Sequence, residues 1–308
     1  MGVNLSNFNR IIDLEFYTRQ KYDSRGFLLS AEAQLKQARS IICPRYGIKP
    51  QIEINGTFGA ALALQAFHIT IKNLYFDLLA EPYSHIKVTA GYANNNTTFE
   101  ADILNMYQDS PGPDGTTVIE CVLGNVTQRW LDSFVSLHFE KGTYLSEILN
   151  YIGTKLMASD VTTGDEAKKL RLDTEFQFDG SARNALAELE QRFKGNFLQI
   201  IMQGSTLCAI CVTDGDFVNS RRLEYMSAPP QRNPGDEKGN WKTMITAPWM
   251  PDLRPGDMLE IPKQIYLYKG TYVGGLSETQ KMVVTEMSFH FGTRGSVNQM
   301  TCTGYIKR

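Results

Sequence analysis

The sequence predicts a mainly β protein with an α/β insert, and three observations point there. Apolar residues recur at period two in short segments toward both ends of the 308-residue chain. Helical periodicity is strongest in the middle, over residues 143–193. Proline and glycine punctuate the apolar segments, as in "ITAPWMPDLRPGDMLEIP" over 245–262. The expected architecture is two tube-like antiparallel β-barrels, kept apart by a small α/β module.

The elements follow in chain order. "RIIDLEFYTRQ" (10–20) alternates and reads as a strand, whereas "SAEAQLKQARS" (30–40) is rich in helix formers and reads as a short helix. "QIEINGTF" (51–58) and "FHITIKNL" (67–74) place Ile52 with Ile54, then Phe67, Ile69 and Ile71, on single faces. "IKVTAGY" (86–92), "TTFEADILNMY" (97–107) and "TTVIECVLGN" (116–125) continue the alternation between the turn formers "NNN" and "SPGPDG". "VTQRWLDS" (126–133) reads as a short helix and "FVSLHFEKGT" (134–143) as a strand.

Over 143–157, Leu145, Ile148, Leu149, Ile152 and Leu156 form one helical stripe behind Thr143, which suits an N-cap. A second helix starts at Ser181, carries Ala185, Leu186, Leu189 and Phe193 on one face, and stops at Gly195. "NFLQIIMQGSTLCAICV" (196–212) predicts two strands about a Gly-Ser turn. Residues 227–241 form a polar, Pro/Gly-rich loop, after which β patterning returns. Pro255 and Gly256 suit the central positions of a type II turn, and the surrounding prolines frame the strand "MLEI". The last strands are "KMVVTEMSFHF" and "QMTCTGYIKR". The expected divisions are an N-terminal strand and arm (1–47), a first barrel (48–133) that strand 10–20 can join, an α/β module (134–226) and a second barrel (227–308).

Composition narrows the function. A 42% hydrophobic content with 21% charged residues describes a folded chain, and a net charge of −2 supplies no basic field for gripping nucleic acid. There is no run of eighteen apolar residues and no signal-peptide pattern at the start, so the expected setting is intracellular. Gly2 with Ser6 resembles a myristoylation site, but strand-like residues begin a few positions later. Five cysteines in a chain of this length predict reduced thiols. The sequons at Asn55, Asn95, Asn96 and Asn125 have no meaning without secretion.

The strongest short catalytic motifs are absent. Cys208 and Cys211 have redox or zinc spacing, but on a strand residues three apart point to opposite faces. His68, His138 and His290 sit between apolar neighbours and His85 precedes Ile86, so all four are expected on the polar sides of their strands, without fixed acidic partners. Asp214-Gly215-Asp216 lacks the downstream residues of a calcium loop and reads as a turn. Glu188 and Glu190 are expected to face solvent. No catalytic, cofactor-binding or metal-binding residue is assigned, and the chain is not read as an enzyme.

Three fragments together resemble a known family. In "KPQIEINGTFGAALALQAFHITIKNL" and "HIKVTAGYANNNTTFEADILN", Ile69, Ile71, Asn73 and Leu74, then Ile86, Val88, Ala90, Gly91 and Tyr92, then Phe99 and Ile103, are similar to the first barrel of phage baseplate hub proteins. Ala101 stands where relatives often carry Gly. "FVSLHFEKGTYLSEILNYIG" and "FDGSARNALAELEQRFKGNF" resemble the hub's α/β module. "APWMPDLRPGDMLEIP" is similar to the start of its second barrel, with Leu253, Pro255, Gly256 and Asp257 making the turn into the first strand. The resemblance covers residues 48–308.

It implies a homotrimeric baseplate hub of a contractile-tailed phage, related to the hub half of type VI secretion spikes. Such a trimer joins a sixfold tail tube to a threefold central spike and encloses a channel for DNA ejection. The implied partners are the tube or tube initiator protein, the spike, the baseplate wedge proteins and the tape measure protein. Neither sequence-specific nucleic acid nor membrane is among them. The implied location is the virion tail, after assembly in the host cytoplasm. The alternatives are a tail-associated cell-wall hydrolase and a trimeric binding module outside phages.

Overall fold

The computed structural model describes residues 10–19, 35–41, 50–59, 65–74, 79, 82–92, 95–110, 115–123, 133–204, 206–223, 225–226, 230–233, 241–262, 265–268, 271–274, 279–293 and 298–306. The fold is mainly β with a small α/β part, as expected. The N-terminal strands are β1 (Arg10–Arg19), β2 (Leu35–Ile41), β3 (Gln51–Gly59), β4 (Ala66–Lys72), β5 (His85–Tyr92), β6 (Asn95–Ser110) and β7 (Thr116–Leu123). The middle contains β8 (Phe134–Phe139), helix α1 (Leu145–Lys155), β9 (Asp160–Thr163), β10 (Phe176–Ser181), helix α2 (Ala182–Arg192), β11 (Leu198–Gln203), β12 (Thr206–Cys211), β13 (Ser220–Arg222) and β14 (Tyr225–Met226). β15 (Gln231–Asn233), β16 (Trp241–Ala247), β17 (Met258–Pro262), β18 (Ile265–Tyr268), β19 (Thr271–Gly274), β20 (Thr279–Gly292) and β21 (Gln299–Ile306) follow.

The two strand groups are joined rather than kept apart. One thirteen-stranded sheet runs β15-β16-β21-β20-β3-β4-β7-β6-β5-β1-β2, with β17 also on β20 and β13 on β17. The join is made by β20, whose fourteen residues reach two partners on one edge. Its first part pairs with β17 and its last part with β3. The apolar face therefore continues across the join, and one core holds Ile12, Ile54 and Phe67 together with Ile245, Leu259 and Phe291.

The proline-framed stretch lies at this join. Trp249 is buried, stacks on Phe289 at 5.2 Å between ring centroids, and leans on Phe291 at 4.7 Å. The Arg254 guanidinium sits over both Phe58 and Phe99. Pro255-Gly256 makes the expected turn: Asp257 N–H donates to the Arg254 carbonyl at 3.1 Å, and Gly256 has φ +93°, open to glycine at little steric cost. This turn feeds β17, but β15 and β16 precede it, so it does not lead into the group's first strand.

The α/β module has its own core, in which Leu145, Ile148, Leu149 and Ile152 of α1 meet Ala185, Leu186 and Leu189 of α2 over Val135, Leu137 and Phe176. Its β11-β12-β9 sheet includes one parallel pair, β9 with β12. Both helical stripes fall where the period placed them, although the caps differ. Tyr144, not Thr143, is the N-cap of α1, and the Thr143 hydroxyl donates back to the Glu140 carbonyl. Ser181 caps α2 by accepting from Asn184 N–H, but the helix ends at Arg192 with Phe193 as its C-cap, and Gly195, expected just past the helix end, lies inside a 3-10 turn over Lys194–Asn196.

Two further expectations change. Residues 35–41 are a strand, because β1 supplies an edge for pairing that outweighs helix propensity. Gln231–Asn233, expected as loop, pairs with β16. The helix expected over 126–133 lies almost wholly outside the described residues.

Candidate functional site

Cys208 and Cys211 are both buried on β12, but only Cys211 belongs to the module's core, as the opposite-face argument requires. Burial pushes the Cys208 thiol up to about 12, away from thiolate chemistry. Among the described residues no group of three or more His, Cys, Asp or Glu is placed to hold a metal ion. Asp214-Gly215-Asp216 is a turn, with Gly215 at φ +93°. Asp216 is a buried clasp that accepts from the N–H groups of Glu166, Ala167 and Cys211.

The histidines divide. His68 and His138 are exposed, and His290 is partly so. His85 departs from expectation: its side chain is 2% exposed and lies 3.4 Å from Asp102 and 3.6 Å from Glu100. His138 also has Glu175 at 3.3 Å, and His290 has Glu53 at 3.5 Å. Every one of these carboxylates comes from a neighbouring strand or its flank, so spacing along the chain does not reveal them.

Where the module meets the sheet, a second network appears. Asp257 is fully buried in the RPGD turn and accepts from Arg254 N–H, from the Gln203 amide of β11 and from the Asn219 amide. Burial raises its carboxyl above the usual range, against the pull of those three donors. Nearby, Ile201, Ile210 and Val212 of the module pack with Val283 and Tyr305 on the outward side of β20 and β21. Beside that contact is a cavity of about 290 Å³ lined by Glu190, Lys194, Phe197, Gln199, Val212 and Tyr305. Glu188 pairs with Arg192 on the surface as expected, but Glu190 turns inward and accepts from Ile200 N–H. Burial pushes the Glu190 carboxyl up to about 7.

The largest feature beyond the module is the outward face of the sheet. Strand registers align Thr246, Thr301, Ser288, Thr57 and Ala66 in one row across β16, β21, β20, β3 and β4. A second row aligns Gln299, His290, Asn55, His68 and Glu120 on β21, β20, β3, β4 and β7. All ten are half-buried or exposed, in alternation with the core side chains. Six strands at the usual spacing make this face about 24 Å wide.

No family model matches the chain, and no curated protein matches its sequence. Solved structures do match. A tail protein from Neisseria meningitidis MC58 aligns with a TM-score of 0.54 at 7% identity, covering 97% of this chain and 97% of that one. The chain shares the fold of tail proteins. A 43 kDa prophage tail protein from Shewanella oneidensis aligns at 0.52 and 10% identity, over 97% of this chain and 99% of its own. An E. coli type VI secretion system component, described as structurally similar to bacteriophage T4 tail proteins, aligns at 0.56 and 8% identity over 85% and 76%.

Proposed function

We propose that the chain is a structural tail protein: a homotrimeric baseplate hub that joins a sixfold tail tube to a threefold central spike and encloses a channel for DNA. The observation that carries this reading is the end-to-end likeness to two tail proteins of nearly the same extent. Two strand groups in each chain give six in a trimer, which is the number a sixfold tube presents to its adaptor. The continuous sheet and shared core suit such an adaptor, because force and register pass between the groups without a hinge.

In this reading the tube or its initiator, the spike and the wedge proteins are neighbours in the virion tail, the tape measure protein meets the channel, and the chain performs no catalysis. Native mass spectrometry of the purified protein tests it. The expected mass is three times 34.7 kDa, and images should show a threefold ring with an open bore. A stable monomer that clears peptidoglycan would overturn the reading in favour of a hydrolase.

A further inference from the structure

The composition of the outward sheet face sets it apart from a protein contact and from a nucleic-acid grip. The six strands β3, β4, β7, β16, β20 and β21 contain three lysines (Lys72, Lys242, Lys281), three glutamates (Glu53, Glu120, Glu286) and no arginine or aspartate. Their formal charges cancel. Two of these charges are already neighbours, with Lys72 3.7 Å from Glu53. Between the charges the face presents hydroxyls and amides, of which the Thr246 and Thr301 hydroxyls lie 3.5 Å apart. A subunit interface would concentrate aromatic residues, Met and Arg at its centre. A surface that holds a polyanion would concentrate Lys and Arg. This face does neither, yet it is broad, continuous and built on rigid paired strands.

Its boundaries are also informative. The module covers the face at one end, where Val283 and Tyr305 meet Ile201, Ile210 and Val212. On β20 and β21 this apolar contact gives way to the hydroxyl and amide rows, while on β4 and β7 the first row ends in Ala66 and the buried Val122. Resting on the hub reading, we infer that these rows form the wall of the passage, turned toward the DNA in transit. A neutral wall without arginine neither traps the phosphate backbone nor adds a strong repulsive barrier, and hydroxyls and amides keep it wet.

Two thiol variants test this on the full-length assembled protein. Thr57→Cys and Thr301→Cys lie in one row of the face, and Asp165→Cys, at a side chain 91% exposed on the module, serves as the outer-surface control. Cys121, Cys208, Cys211 and Cys302 are buried and Cys43 lies outside the described residues, so the wild type is labelled in parallel to measure the background of all five. Each variant is treated with N-ethylmaleimide and with a large polyethylene-glycol maleimide, before and after denaturation. The expected result is full labelling of the face by the small reagent and loss of labelling by the large one, with the control taking both. Labelling of the face by both reagents places it outside the assembly and overturns the inference. Labelling by neither buries it between subunits and also overturns it. A monomer on native mass measurement removes the hub reading itself, which distinguishes that failure from a misassigned face.

Discussion

The α/β module and the two strand groups solve the same burial problem differently. The module closes its own core, with two helices on one side of short sheets and contacts that are mostly local in sequence. The strand groups share a core in which residues more than two hundred positions apart touch, such as Phe58 and Phe289 at 4.9 Å. A self-contained core can fail alone, whereas a shared one fails as a unit.

Trp249→Ala probes the shared core with the largest expected effect. It removes a buried indole stacked on Phe289 and should cost about 3 to 5 kcal/mol, since the surrounding rings cannot collapse into the space. Denaturant unfolding followed by circular dichroism should show both strand groups lost in one transition. Survival of the N-terminal group in a separate step would break the comparison.

Asp257→Ala addresses the link between module and sheet. It strands three donors in a buried site and should cost about 2 to 3 kcal/mol. Asp257→Asn keeps one accepting oxygen but turns its amide nitrogen toward at least one of the three donors, so it should cost about 1 to 2 kcal/mol, less than Asp257→Ala. An equal loss for both in thermal unfolding would mean that the charge itself, and not the acceptor, holds the link.

Glu190 gives the same region a pH dependence. Its carboxyl holds a proton up to about pH 7 when folded, against 4.5 for an ordinary glutamate. The contribution is therefore complete below 4.5 and lost as pH rises through 7. Partial exposure limits it to roughly 1 to 2 kcal/mol, and Glu190→Gln should flatten that part of the stability curve. An unchanged curve would place Glu190 in open solvent. Lys72→Gln, which breaks the surface pair with Glu53, should change stability by less than about 0.5 kcal/mol in the same assay.

What the sequence revealed follows the same division. The stripes of α1 and α2, the alternation of β3 and β4, and the RPGD turn depend on neighbours within a few residues, and period or φ preference exposes them. The strand at 35–41 depends on the edge of β1, so its local helix preference misleads. The inward turn of Glu190 and the carboxylates beside His85 depend on β11 and β6, which no spacing near those residues encodes. The rows of the outward face were half legible: alternation identifies the polar side of each strand, but only the registers place Thr57 beside Ser288. The β3-β20 join, which makes one core from two, had no local signal at all.

Thr285 sits at the one irregularity between β20 and β21, between Val284 and Glu286, and its hydroxyl donates to the Thr303 carbonyl. Before it the even positions Met282 and Val284 point inward, and after it the odd positions Met287, Phe289 and Phe291 do. This single residue changes the phase of the strand. Deleting it would send the benzyl rings of Phe289 and Phe291 to the hydrated side and draw Ser288 and His290 into the apolar interior. The length of this segment is therefore fixed more tightly than any one of its side chains, because an exchange is felt at one position whereas a lost residue turns over the rest of the strand.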